Sequence, residues 1–201
     1  MAADAWRQPA IMNMFKHLLI LLFLYTPQVS SALSQDLSVE QGGWVTRDAK
    51  PIPNSDSIKS IGGLGGWLVV TPDNDWESKW NTPPETVPYF SEASVVKYGE
   101  QLTILTFYIN PGIDRTGSIH LVCNIRITKP DGSQSVSAED IDCAKGELKG
   151  NPRNVRMTSA VLKYIGEEGD LPGKWIVEVD LKDIVRNVTV PLKTYFNLEN
   201  L

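Results

Sequence analysis

The residues best suited to chemistry lie in one stretch, Thr71-Pro72-Asp73-Asn74-Asp75-Trp76-Glu77-Ser78-Lys79-Trp80-Asn81-Thr82-Pro83-Pro84, with Tyr89-Phe90 close behind. Asp73 is of the type that caps a short helix, and Pro83-Pro84 must end it. Over such a turn or two, Trp76 and Trp80 stand at i and i+4 and share a face. Trp76, Trp80, Tyr89 and Phe90 are therefore candidate binding residues, because large aromatics stack on sugar rings or fill a partner's apolar patch. The competing expectation is that both tryptophans plug an open end of a small core, where such side chains are usually buried.

Other constellations are weaker. Asp73, Asn74, Asp75 and Glu77 offer oxygen ligands for calcium, but the alternation, central glycine and closing glutamate of an EF-hand loop are missing, so they read as solvated carboxylates. Glu139, Asp140 and Asp142, then Glu167, Glu168 and Asp170, form two acidic clusters near turns. Paired carboxylates hydrolyse glycosides when held at a set separation, which makes a carboxylate-dependent glycan hydrolase the alternative function. Nucleophilic catalysis is poorly equipped: beyond His17 the only histidine is His120, and no Gly-x-Ser-x-Gly elbow is present. One histidine and two cysteines cannot close a zinc tetrahedron, so no metal or other cofactor is expected. Gly62-Gly63-Leu64-Gly65-Gly66 precedes a β-branched run rather than a helix, which favours close backbone packing over phosphate binding. Asn187-Val188-Thr189 matches the N-glycosylation acceptor pattern.

These side chains need a framework, and the sequence describes strands. Residues 119–127 alternate, with Ile119, Leu121, Cys123, Ile125 and Ile127 on one face. A turn at Lys129-Pro130-Asp131-Gly132-Ser133 folds the chain back towards Cys143, so Cys123 and Cys143, the only cysteines, are expected to form a structural disulfide. The alternating strand is expected over Ser118–Thr128, and further strands at Trp67–Val70, Ser94–Tyr98, Gln101–Ile109, Gln134–Asp140, Asn154–Ile165, Lys174–Leu181 and Asn187–Leu198. Pro191 marks the last of these as an edge or bulged strand. Short strands between turn signals, with no helical period, predict an all-β antiparallel sandwich with a short helical insertion.

The segment Asp170-Leu171-Pro172-Gly173-Lys174-Trp175-Ile176-Val177 resembles the corner that leads into the penultimate strand of immunoglobulin-like domains. Trp175 stands where that family has a tyrosine, one extra residue separates the acid from the glycine, and the cysteines lie in neighbouring strands before the corner. The resemblance implies an immunoglobulin-like β-sandwich and carries over no functional residue.

Residues 15–32 read as the end of a secretory signal peptide: Lys16, the short apolar run Leu18–Tyr25, then Ser30 and Ala32 at the small-residue positions. The run is too short to span a bilayer, which takes about 20 residues. The expected organisation is a signal peptide over 1–32, an extended arm or linker over 33–60, and the sandwich over 61–201. Cleavage removes Arg7, Lys16 and Asp4, making the chain one unit more negative than its −5. Such a chain suits neither nucleic acid nor an anionic membrane surface. No second apolar run follows Tyr25, so no membrane anchor is expected, and the protein is placed in the bacterial periplasm or outside the cell.

The expected function is a non-catalytic binding or assembly module of the cell envelope, with a protein partner first and a glycan second. It would act through the aromatic insertion or by strand addition along residues 187–198. A structural homo-oligomer is a further possibility, because Gln101–Ile109 is apolar on both faces (Leu102, Ile104 and Tyr108 against Leu105, Phe107 and Ile109).

Overall fold

The computed structural model describes residues 43–46, 48–82 and 88–200. The signal segment 1–32, the first part of the arm and Pro83-Pro84 lie outside the described residues. Ten strands and one short helix follow in order: β1 (Ile58–Ile61), β2 (Leu64–Thr71), α1 (Trp76–Trp80), β3 (Val95–Lys97), β4 (Gln101–Ile109), β5 (Ser118–Thr128), β6 (Gln134–Glu147), β7 (Arg156–Met157), β8 (Leu162–Ile165), β9 (Gly173–Asp183) and β10 (Val188–Glu199).

They form two five-stranded sheets. One runs β1-β2-β4-β7, with β8 also paired to β4; the other runs β3-β10-β9-β5-β6. Every described pairing between strands is antiparallel except β3 with β10. The period-2 pattern explains the layering. Leu64, Leu68 and Val70 of β2 and Leu102, Ile104 and Tyr108 of β4 face Leu121, Cys123 and Ile125 of β5 and Trp175, Val177, Val179 and Leu181 of β9 across one core. The architecture is an all-β sandwich with one disulfide and one short helix.

Residues 58–61, within and just past the stretch read as an arm, pair with β2 as β1 through a turn at Gly62-Gly63, where φ is +54° and +85°. A two-residue hairpin turn of this hand needs positive φ at both positions, which glycine adopts without strain. The expected strand over Asn154–Ile165 is broken into β7 and β8. Between them the Ser159 amide leaves the β4 ladder and donates to the Cys143 carbonyl of the opposite sheet at 2.8 Å.

The Cys123–Cys143 disulfide is formed, with Cα atoms 5.8 Å apart. Simple counting back from the Thr128–Gln134 pair would place Cys123 opposite Glu139. Three register shifts along β6 correct this, so that Cys123 pairs with Ile141 and Cys143 is the extra residue between Asp142 and Ala144. A bulge re-aims the side chain it carries, and Cys143 is buried to 1% exposure.

The corner before β9 is held by aromatic donors. The Trp175 indole donates to the Leu171 carbonyl at 2.9 Å. The Tyr98 hydroxyl donates to the Asp170 carbonyl and the Tyr164 hydroxyl to the Asp170 carboxylate, both at 3.0 Å. Tyr164 also packs on Trp175 and Phe196.

Candidate functional site

The two sheets differ on their outer faces. Outside β10-β9-β5-β6 lie charges in cross-strand pairs: Lys193 with Glu178 at 3.1 Å, Arg126 with Asp180 at 3.4 Å and Lys182 with Asp140 at 3.6 Å. These exposed pairs add little stability, and the face is a solvated one. Outside β2 and β4 lie Trp67, Val69, Leu105, Phe107 and Ile109, and the aromatic insertion covers them.

Phe107, 1% exposed, is the hub of this second core. Trp67 and Trp80 each stand 5.3 Å from its ring centroid and Phe90 stands 5.4 Å from it. Trp44 meets Trp67 edge-on at 6.1 Å and donates its indole N–H to the Gly66 carbonyl at 3.1 Å. That approach needs Gly65: a Cβ there would lie 2.9 Å from the Trp44 indole nitrogen and 2.5 Å from Ile109 Cγ1. The glycine run therefore acts through close packing and one tight turn. The outer apolar residues of β4 are covered within this chain, which accounts for a strand apolar on both faces without a second copy.

The four candidate aromatics fall into different environments. Trp76 and Phe90 are buried, at 7% and 6% exposure, so neither offers a contact surface. The tryptophans do not plug an end of the sandwich; they roof one sheet. Trp80 is half-buried and Tyr89 is 79% exposed. Trp67, legible in the sequence only as a strand residue, is also half-buried, on the β2 face beneath the insertion. Its position outside the Leu68–Val70 face was the available signal.

Asp73 holds the insertion closed. Helix α1 starts after Asp75 with no side-chain cap, so Asp73 does not cap it. Instead its carboxylate accepts from Lys79 Nζ at 2.7 Å and from the Ser91 amide at 2.8 Å, tying the helix to the returning chain. Burial pushes the Asp73 carboxyl up, but the Lys79 and Ser91 hydrogen bonds and the Lys79 charge outweigh it, holding the group below its ordinary value. Thr82 Oγ1 donates to the Lys79 carbonyl at 2.9 Å and continues the turn.

In the acidic clusters Asp140, Asp142 and Asp170 take structural partners. Asp142 accepts from His120 at 2.6 Å and from Lys145 at 3.2 Å, and these contacts lower its pKa. Asp170 is occupied at its corner, and its carboxylate also accepts from the Glu167 amide. Among the described residues no group of three His, Cys, Asp or Glu is placed to hold a metal ion. Asn187 lies exposed in the turn before β10 with φ +56°. Along β10 the Lys193 and Asn197 amides donate outward to the Asp56 and Ser94 carbonyls. The same alternation points position 191 outward, where Pro191 has no N–H to offer. No helix among the described residues is long and apolar enough to cross a membrane.

No family model matches this chain, and no curated protein matches it. Among solved structures it is similar to the alkylpurine DNA glycosylase AlkC of Pseudomonas fluorescens bound to DNA containing an abasic-site analogue (15% identity, TM-score 0.38, covering 68% of this chain and 30% of that one). It is also similar to a family 123 glycoside hydrolase from Clostridium perfringens (6%, 0.38, covering 68% and 28%). A third likeness is to a Niemann-Pick type C2 protein from Japanese carpenter ant (4%, 0.35, covering 66% and 89%). The chain thus spans less than a third of the first two. Nothing about function passes to it from likenesses this distant.

Proposed function

We propose that this protein is an exported, non-catalytic binding module of the cell envelope, built on an immunoglobulin-like sandwich, with a protein partner first and a glycan second. One observation carries the reading: Tyr89, 79% exposed, is the chain neighbour of Phe90 in a packed aromatic cluster where Trp67 and Trp80 are half-buried against Phe107. A rigid floor beneath partly exposed aromatics lowers the entropy lost on binding, as recognition surfaces require. The corner bond from Trp175 to Leu171 supports the immunoglobulin-like assignment, since a tyrosine makes the equivalent upstream backbone bond in that fold. The Cys123–Cys143 disulfide suits an oxidising compartment. Strand addition at β10 is the lesser route, because Pro191 and the Asp56 contact blunt that edge.

The test is affinity capture from a cell-envelope extract on immobilised protein, beside Tyr89→Ala and Trp80→Ala variants whose melting curves match the parent. A species held by the parent and lost by the folded variants is the expected result. Retention of every captured species by both variants overturns the aromatic surface as the contact.

A further inference from the structure

A second region fits a ligand and is independent of the aromatic roof. On one side of the sandwich the sheets part between edge strand β6 and the short β7, leaving an open cleft of about 620 Å³. The two edges touch through the Ser159 amide and the Cys143 carbonyl. Ile119, Leu148 and Met157 line the cleft together with Tyr108. Tyr108 is only 4% exposed, yet its hydroxyl makes no hydrogen bond among the described residues. The Ser60 hydroxyl is the one described side-chain group that is fully buried without a partner, so the Tyr108 hydroxyl is not sealed off and an acceptor entering the cleft can reach it.

The charges around the cleft suit an anion. Arg156 pairs in register with Tyr108, and its guanidinium is fixed by the carbonyls of Lys149, Asn151 and Asn154 at 2.6–3.1 Å. Lys149 adds a further cation at the border, whereas Lys145 there is paired with Asp142. Of the carboxylates there, Asp142 is taken by His120 and Lys145, and Glu147 lies exposed at the end of β6. With the Lys145–Asp142 pair neutral, Arg156 and Lys149 leave the lining one positive charge over Glu147, on a chain whose formal charge is −5.

We propose that this cleft binds a small organic anion with an apolar body, of the medium-chain carboxylate class. Its carboxylate accepts from the Tyr108 hydroxyl within the field of Arg156 and Lys149, and its alkyl part lies on Ile119, Leu148 and Met157. Titration calorimetry with decanoate, acetate and decyltrimethylammonium tests this on the parent, Tyr108→Phe, Lys149→Glu and Tyr89→Ala. Tyr108→Phe keeps the ring and Lys149 is exposed, so both variants retain the fold, which thermal unfolding checks.

Saturable uptake of decanoate alone is expected, weakened about tenfold in Tyr108→Phe by loss of a charge-assisted hydrogen bond. It should be weakened severalfold in Lys149→Glu and unchanged in Tyr89→Ala. Three results each overturn the proposal: no saturable uptake by the parent, equal uptake of the cationic amphiphile, or decanoate affinity unmoved by Tyr108→Phe. Loss of affinity in Tyr89→Ala also overturns it, by placing the ligand on the aromatic roof.

Discussion

Asp73 joins the two ends of the aromatic insertion through one carboxylate, and its ionisation should be visible in stability. Its folded pKa lies below the ordinary 3.8, so the folded state binds the proton less readily than the unfolded chain. The contribution is therefore present above about pH 4 and is lost as pH falls below it. Asp73→Asn should cost about 1–3 kcal/mol at neutral pH in urea unfolding, the scale of hydrogen bonds to a charged group. The variant should also lose less stability than the parent between neutral pH and acid; equal acid losses in the two proteins would show that the Lys79 and Ser91 contacts contribute nothing. At the same scale, Trp76→Ala should cost about 3–5 kcal/mol as a core deletion, whereas Tyr89→Ala should stay within about 0.5 kcal/mol. Urea midpoints separate a roof residue from a surface one.

Strand β6 spends 14 residues against 11 on its partner β5, and the surplus appears as three register shifts. As an edge strand it is exposed to pairing with other chains, and bulges break up the flat template that such pairing needs. One of the shifts also turns Cys143 inward to its partner. Replacing both cysteines with alanine should lower stability by about 3 kcal/mol, the chain-entropy value for a loop of this order. A loss well below that, in urea unfolding under non-reducing conditions, would mean that the β5–β6 pairing already constrains the unfolded chain. Towards the opposite edge β3 pairs only with Asn197–Glu199 of β10, and the stretch it leaves uncovered is guarded by Pro191, which removes an outward donor. Pro191→Val should raise concentration-dependent association in light scattering relative to the parent.

Across the whole molecule the layers are unequal: a charged outer face, a central core, and a second core beneath the insertion. Two phenols border the central core. Burial first, and then the Asp170 carboxylate, push the Tyr164 phenol well above its ordinary 10.0. Burial likewise raises Tyr108, with Arg156 opposing. For both groups the folded state favours the neutral form. Their contribution is thus fully present below about pH 10 and is lost as pH rises beyond it. Absorbance at the phenolate band, followed with circular dichroism, should show these tyrosines ionising only as the sheets unfold. Ionisation of all tyrosines before any loss of ellipticity would contradict their burial.

Much of the scaffold could be read from the amino acids. Gln101–Ile109 and Ser118–Thr128 are strands over the expected residues, because a long apolar run and a clean alternation between turn signals leave few other choices. The disulfide follows from two cysteines flanking one hairpin. β1 was hidden because four residues, two of them polar, are too short a pattern to read, and the strand gains its stability from pairing with β2. The shifts in β6 were equally silent, since a bulge depends on which strand lies opposite. Composition showed that the insertion was aromatic, but not which aromatics would be buried. That depends on what lies above and below each ring: Phe107 beneath Trp80 and Phe90, Trp44 against Trp67, and Asp73 closing the chain over them. Local periodicity determined the faces of this protein; contacts between residues far apart in the chain decided which of those faces meet water.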